Sequence, residues 1–354
     1  MLYRENGQFK TTYRSDQQLL PITQDRFFVW GVVVLAFLLV PLLASDYAFR
    51  ALIIPFLILT IAAIGLNILV GYCGQISLGH AAFMAVGAYA AYNLVIRVPG
   101  LNFLVVLVLA GLIAAFVGIV FGVPSLRIKG LYLAVATLAA QFFIDWMFAR
   151  VKWFTNYSPS GSVSSADIEL FGWVIDRPVE KYWFLLGVLV VMTLLAKNLV
   201  RSHIGRSWMA IRDMDVAASV IGIRPLYAKL SAFAVSSFFA GVAGALWGFV
   251  HLGAWEPLAF NINLSFNLLF MIIIGGMGSI LGSYFGAAFI VVLPLLLNQL
   301  PTMLGIPLST AMISHLEFII FGALIVFFLI AEPHGLARLW AIGKEKLRLW
   351  PFPH

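Results

Sequence analysis

Ten long apolar stretches recur along this chain, and each is close to the ~20 residues that a helix needs to cross a bilayer. They cover residues 27–44, 51–70, 81–96, 103–123, 131–148, 182–196, 230–250, 264–280, 284–300 and 316–331. Of the 354 residues, 62% are hydrophobic and 10% are charged, whereas soluble domains carry about 25% charged residues. The sequence therefore predicts an all-α, polytopic integral membrane protein with about ten transmembrane helices.

Lysine and arginine lie where a membrane protein needs them on its cytoplasmic side. They gather in the tail 1–26, in the loop PSLRIKG (124–130), in segment 197–229 and in the tail 332–354, whereas the loops 252–263 and 301–315 contain neither. We therefore expect both termini in the cytoplasm, a transmembrane domain over 27–331 and an outer loop over 150–181. The net charge of +7 is then an orientation signal rather than a sign of nucleic-acid binding.

Groups that support catalysis or metal binding are sparse. Cys73 is the single cysteine, and the six histidines have no acidic or cysteine neighbours at ligand spacing. The chain shows no nucleophile with a base, no pair of carboxylates deep in a span and no Walker sequence. We therefore predict a protein with no catalytic activity, no cofactor and no metal site.

The segment GYCGQISLGH (71–80) interrupts the apolar sequence between the second and third spans. Gln75 and His80 place polar groups at membrane depth, where an unsatisfied group is costly. Two explanations stand side by side. Gly71, Gly74 and Gly79 break the helix beside an aqueous cavity, or small residues about one turn apart form a close-packed helix seam.

A second glycine cluster, GGMGSILGSYFGA (275–287), lies between the eighth and ninth spans. Its residues Gly275, Gly276 and Gly278 predict a tight turn with close helix packing on both sides. The cluster is not a phosphate-binding loop, because it lacks the Walker lysine and no strand precedes it.

Segment 197–229 contains an amphipathic pattern of its own. Apolar residues recur three or four apart, which predicts one helix that ends at Gly222 before Pro225. The members of this stripe are Ile204, Trp208, Ile211, Met214, Ala218 and Ile221. The pattern fits a docking surface for a partner and equally a helix that lies on the membrane face.

Four segments together resemble the branched-chain amino acid ABC transporter permease family, in particular its LivM-type subunit. They are GLNILVGYCGQISLGHAAFMAVGAYAAY (65–92), GLYLAVATLA (130–139), GRSWMAIRDMDVAASVIGI (205–223) and GGMGSILGSYFGA (275–287). The resemblance implies an importer of the bacterial cytoplasmic membrane. It also implies a LivH-like permease as heterodimer partner, two cytoplasmic ATPase subunits and a periplasmic binding protein that faces the loop 150–181.

In such permeases the cytoplasmic helix between spans docks on the ATPase. Ala217, Ala218 and Gly222 match the Ala-Ala-x-x-x-Gly core of that loop, whereas the acidic residue is displaced to Asp215 and the I-x-L-P ending is missing. The residues that the resemblance assigns to ATPase coupling are Gly205, Arg206, Ile211, Arg212, Asp215, Ala217, Ala218 and Gly222. Related permeases also carry a Thr-Gly-Gly-like stretch where this chain has SPSGSVS (158–164).

The predicted function is that of an importer permease that works by alternating access. We expect Asn67, Gln75, Ser77 and His80 to line the gate and pathway. The alternative is a secondary transporter or channel that acts without ATPase partners, which needs buried charges or a polar stripe along several helices. Branched-chain amino acids, other amino acids, small amides and organic acids all remain possible substrates.

Overall fold

The computed structural model describes residue 12 and residues 23–125, 132–158, 161–165, 168–170, 172–303, 310–331 and 334–349. Most of the tail 1–26, residues 126–130 of the loop PSLRIKG, and Ser160 of SPSGSVS lie outside the described residues. The helices are α1 (Thr23–Leu43), α2 (Asp46–Tyr72), α3 (His80–Arg97), α4 (Phe103–Ser125), α5 (Tyr132–Arg150), α6 (Pro178–Arg201), α7 (His203–Asp213), α8 (Asp215–Val220), α9 (Pro225–Leu252), α10 (Ile262–Gly275), α11 (Ile280–Met303), α12 (Thr310–Ala331) and α13 (Gly335–Leu349).

Each of the ten predicted spans falls largely within a helix, so the all-α membrane fold is confirmed. In the described part of the chain, eight helices are long and apolar enough to cross a membrane. The eight do not include α3, which corresponds to the third predicted span, and α12 contributes a shorter apolar stretch, Ile319–Phe328. The number of ten spans stays a prediction.

Helix α9 forms the centre of the bundle and packs against α2, α3 and α4. Glycine allows this close approach, because a side chain on Gly244 would overlap the backbone of Met84 in α3. Gly241 of α9 likewise lies against Gly87 of α3 and Ala114 of α4. Small residues at helix crossings are the usual way for membrane helices to pack through backbone contact.

Helix α1 lies at the edge of the bundle and is tied to α6 by two hydrogen bonds. Pro41 has no N–H, which leaves the carbonyl four residues earlier without its helical donor. The indole of Trp183 donates to that carbonyl, Phe37 O, at 3.1 Å, and the hydroxyl of Tyr182 donates to Ala36 O at 2.6 Å. The proline thus creates the acceptor that α6 uses.

The predicted outer loop 150–181 contains short strands. The strands β2 (Ile168–Leu170) and β3 (Trp173–Ile175) form an antiparallel hairpin. The strand β1 (Val163–Ser164) pairs with β4 (Ala254–Trp255), which follows α9. This pairing joins the loop to the end of the central helix.

The single helix predicted over 204–221 is wrong, because the structure has two helices there. The chain is extended at Met214 (φ −161°, ψ 101°), between α7 and α8. Trp208 and Ile211 of the predicted stripe are buried, whereas Met214 and Ile221 are exposed. Gly222 follows α8 with φ +93°, the left-handed conformation that glycine supplies at helix ends.

Candidate functional site

Residues 73–79 leave helical geometry and connect α2 to α3 inside the bundle. The last turn of α2 is a π-helix (Ile68–Tyr72), and Gly74 has φ +71°. The amides of Gly74 and Gln75 donate to the carbonyls of Val70 and Leu69, both at 3.1 Å, and so close the helix end. The structure therefore shows a helix break that contains Gly74 and Gly79, whereas Gly71 lies within the last turn of α2. It also shows a packed seam, because Ala81, Ala85 and Ala88 of α3 are at most 1% exposed.

Three polar side chains at this break are buried. Gln75 is 4% exposed, Ser77 0% and His80 1%. Neither the amide atoms of Gln75, the hydroxyl of Ser77 nor the ring nitrogens of His80 have a hydrogen-bond partner among the described residues. A buried polar group without a partner costs roughly 1–3 kcal/mol. Such a cluster is therefore a candidate site for a polar ligand or for water.

Asn67, the fourth residue predicted for the pathway, differs from these three. Its amide nitrogen donates to the carbonyl of Ser279 at 2.8 Å and to the hydroxyl of Ser283 at 3.0 Å. Its carbonyl oxygen accepts from the backbone amide of Gly278 at 2.8 Å. The side chain is thus bonded to the second glycine cluster and joins α2 to the start of α11.

Side chains from other helices cap the start of α3. The amide of Ala81 donates to the Ser265 hydroxyl at 2.8 Å, and the amide of Ala82 donates to Gln141 Oε1 at 2.9 Å. One residue before the break ends, the amide of Leu78 donates to the Thr137 hydroxyl at 2.9 Å. These amides are the free donors that every helix start presents, and here α5 and α10 satisfy them.

The sequence-based prediction did not include Thr137, Gln141 or Ser265. A signal was present for α5, because Thr137, Gln141 and Asp145 are spaced four apart and so share one helix face. Gln141 Nε2 donates to the Asp145 carboxylate at 3.1 Å and to the carbonyl of Phe260 at 2.9 Å. Gly79 also lies against this face, since a side chain there would overlap the carbonyl of Thr137.

Arg212, at the end of α7, connects segment 197–229 to both glycine clusters. Its Nη1 donates to the carbonyl of Gly71 at 2.9 Å, and a Cβ on Gly278 would lie 3.4 Å from the same nitrogen. A Cβ on Gly74 would lie 3.0 Å from Arg212 Cγ. The guanidinium thus neutralises the carbonyl end of α2, where a positive charge is favourable, and it also pairs with Asp213 at 2.9 Å.

The second glycine cluster is a tight turn between α10 and α11, as predicted. Gly276 (φ +123°) and Gly278 (φ +77°) adopt conformations that other residues rarely reach. A side chain on Gly275 would overlap the carbonyl of Gly282, and one on Gly276 would overlap that of His334. The turn is therefore enclosed by α11, by the residue before α13 and by Gly71 in the last turn of α2.

The other residues predicted for coupling fall into a buried and an exposed group. Gly205 lies against the carbonyl of Val200, and Ile211 and Ala218 are buried. Asp215 forms an ion pair with Lys229 at 3.8 Å. The exposed group consists of Arg206, Ala217 and Gly222.

An exposed apolar patch covers the turn around α8. Its members are Met214, Val216, Val220, Ile221 and Tyr227, each between 64% and 82% exposed. The preceding helix α7 is anchored to α9, because Trp208 is fully buried and its indole donates to the hydroxyl of Ser231 at 2.9 Å. An anchored apolar patch of this kind is typical of a contact with another protein or with the membrane surface.

Comparison with known proteins places the chain in one family. The family model for the permease component of the branched-chain amino acid transport system matches residues 48–329. The chain is 31% identical over 303 residues to the high-affinity branched-chain amino acid transport system permease protein LivM of Salmonella typhimurium, across 79% of this chain and 68% of that protein. The LivM protein of Escherichia coli gives the same identity and coverage.

A more distant relative is the probable branched-chain amino acid transport permease protein LivM of Methanocaldococcus jannaschii. It is 22% identical over 316 residues, across 78% of this chain and 89% of that protein. No solved structure gives a significant match. Because the family model covers most of the chain, the chain belongs to the family of branched-chain amino acid transport system permease components.

Proposed function

We propose that this chain is a transmembrane permease subunit of an ABC importer in the bacterial cytoplasmic membrane, and that it carries branched-chain or related amino acids. It forms the pathway with a second, LivH-like permease. Two cytoplasmic ATPase subunits supply the energy, a periplasmic binding protein delivers the substrate, and the chain itself has no catalytic activity. The observation that carries the proposal is the hydrogen bond from Arg212 to Gly71, since it ties the exposed cytoplasmic segment to the end of α2, next to the helix break.

In this mechanism the ATPase moves α7 and α8 as one anchored unit. Arg212 transmits the motion to the end of α2 and to the turn at Gly278, which pack directly on each other. The bond to Gly71 is made at a backbone carbonyl, so a shift of Arg212 displaces the end of α2 itself. The break at 73–79 then opens or closes around Gln75, Ser77 and His80.

The importer as a whole is tested by reconstitution. The chain, its permease partner, the two ATPases and the binding protein are placed in proteoliposomes, and uptake of radiolabelled leucine is followed. We expect uptake that requires both ATP and the binding protein. Rapid uptake by this chain alone without ATP would contradict the proposal and favour a secondary transporter or channel.

The apolar patch around α8 is the proposed docking surface for the ATPase, and it gives a first specific prediction. Val220→Asp places a charge at the most exposed residue of the apolar patch, which is 82% exposed. We expect the ATPase to bind at least ~10-fold more weakly, because a central contact in an interface contributes more than ~1 kcal/mol. Pull-down of the ATPase by the solubilised permease pair measures the loss.

Leu258→Asp is the matched control for Val220→Asp. Leu258 is also an exposed apolar residue, at 70%, but it lies in the turn Pro257–Phe260 beyond the other end of α9. This variant is expected to bind the ATPase normally. Equal binding by Val220→Asp and the wild type would mean that the ATPase docks elsewhere.

The break gives a second prediction. Gln75→Leu removes a buried amide that has no partner among the described residues, so no protein hydrogen bond is lost and the thermal stability should not fall. Uptake should fall at least ~10-fold if the amide binds the substrate or its water, since a tenfold change corresponds to ~1.4 kcal/mol. Uptake in proteoliposomes and thermal unfolding of the purified complex are the two measurements.

Gln141→Leu is the contrast variant, with the same change of residue type in a neighbouring helix. Gln141 is fully buried and bonds to Ala82, Ser265 and Phe260. Its loss leaves these groups unpaired, so we expect a lower unfolding temperature. Gln75→Leu with unfolding as low as that of Gln141→Leu would assign Gln75 to packing rather than to the pathway.

A further inference from the structure

A cavity of about 310 Å³ opens at the other end of the bundle from Arg212. It lies where α2 and α6 begin and where α9 ends. The cavity is lined by Arg50, Ile54, Asp176, Pro178, Lys181, Val250, His251, Leu252 and Gly253. Along α2, the 21 residues from Arg50 to Gly71 correspond to about 32 Å of helix, so this cavity is distinct from the break.

Charged groups of both signs surround the cavity. Arg50, Asp176 and Lys181 form no ion pair with any residue that the structure describes. The carboxylate of the neighbouring residue Glu180 already has a hydrogen-bond partner, since it accepts from the backbone amide of Asp176 at 3.3 Å. The carboxylate of Asp176 and the two cations are therefore free to meet charges of a ligand.

The inner part of the cavity is apolar. Ile54 is 2% and Val250 6% exposed, and Ile54 lies one helical turn deeper along α2 than Arg50. The ring of His251 is held against Trp247, with the ring centroids 4.4 Å apart. The cavity thus combines an apolar floor with a positive and a negative group at its rim, and its volume is in the range of small-molecule sites.

We propose that this cavity binds an apolar α-amino acid in its zwitterionic form, with the carboxylate at Arg50 and Lys181, the ammonium group at Asp176 and the side chain over Ile54 and Val250. Each ion then meets an opposite charge, as a ligand that leaves water requires. A simple anion would leave Asp176 as an unfavourable neighbour. The inference extends the proposed function, since it gives the importer permease an amino-acid site on the face opposite to the ATPase.

Equilibrium binding of radiolabelled L-leucine to the full-length chain in nanodiscs, without the binding protein, tests the site. We expect saturable binding that Arg50→Gln combined with Lys181→Gln weakens at least ~10-fold, with a similar loss for Asp176→Asn. Arg177→Gln is the matched control, because Arg177 is an exposed neighbour that does not line the cavity. This variant should bind leucine like the wild type.

Two leucine analogues test the zwitterion directly. 4-Methylpentanoate lacks the ammonium group and 3-methylbutylamine lacks the carboxylate, so both should compete at least ~10-fold less well than leucine. Equal competition by 4-methylpentanoate, or unchanged leucine binding in the cavity variants, would overturn the proposal. The proposal would also be overturned if the cavity variants bound leucine normally and bound only the periplasmic binding protein more weakly. ATP-dependent uptake by the wild-type complex is measured separately. If the cavity is not an amino-acid site, leucine binding in the variants is unchanged while wild-type uptake persists; if the chain is not an importer permease, ATP-dependent uptake itself is absent.

Discussion

Arg212→Glu is expected to reduce ATP-driven uptake by roughly 10–100-fold while ATP hydrolysis by the assembled complex continues. The variant loses the charged hydrogen bond to the Gly71 carbonyl, and such bonds contribute about 1.5–3 kcal/mol. It also places a carboxylate against the negative end of α2, which is unfavourable. Uptake and hydrolysis are measured in parallel on the same proteoliposomes.

Two further variants separate this contact from general effects at the surface. Asp213→Asn removes the ion pair of Arg212 but leaves the bond to Gly71 intact, so uptake should stay within about twofold of wild type, as expected for an exposed pair. Arg212→Lys keeps the charge and loses the guanidinium fork, so it should be intermediate. Wild-type uptake by Arg212→Glu would show that the ATPase motion reaches the membrane by another route.

The sequence predicts the helices well because lipid imposes a simple requirement of length and apolarity. It predicts α3 less directly. That helix is rich in alanine and carries His80 and Asn93, and its burial against α9 depends on glycines in the other helix, such as Gly241 and Gly244. The close packing of one helix on a particular other helix leaves no periodic pattern in either sequence. It can be seen only in the tertiary structure.

The break at 71–80 is predictable for a related reason. A glutamine and a histidine between two spans carry an energetic cost that demands an explanation, and the structure leaves their polar atoms unpartnered within the described residues. The role of Asn67 is not predictable in this way. Its partners Gly278 and Ser283 lie 211 and 216 residues away along the chain, so only the tertiary structure shows that its amide is occupied.

The two helices within segment 197–229 form because two buried residues hold the segment at different points. A continuous helix over 204–221 would point the whole apolar stripe to one side. Instead Trp208 anchors α7 through Ser231, and Ala218 anchors α8, with the extended residue Met214 between them. The extended backbone at Met214 leaves Met214 and Ile221 exposed, whereas a single helix would have placed them on the same face as Trp208 and Ile211.

Gly71→Ala is expected to destabilise the protein strongly although it adds a single methyl group. A Cβ at Gly71 would overlap both the Asn67 side-chain oxygen and the backbone nitrogen of Gly278. The second is backbone in a turn with φ +77° that Asn67 and Arg212 also contact, so it has little freedom to move. Overpacking commonly costs 1–3 kcal/mol, and we expect a value of about 3 kcal/mol here.

Gly187→Ala is the matched control for Gly71→Ala. Gly187 lies in α6, and a Cβ there would meet no other atom within 4 Å, so the change should leave stability equal or slightly higher, since alanine favours the helix. Thermal unfolding of both variants in the same detergent gives the comparison. Because the overlap at Gly71 separates the two glycine clusters, Gly71→Ala should also lose uptake at temperatures where it is still folded. Normal unfolding and normal uptake by Gly71→Ala would show that α2 and the turn at Gly278 are not in contact in the working transporter.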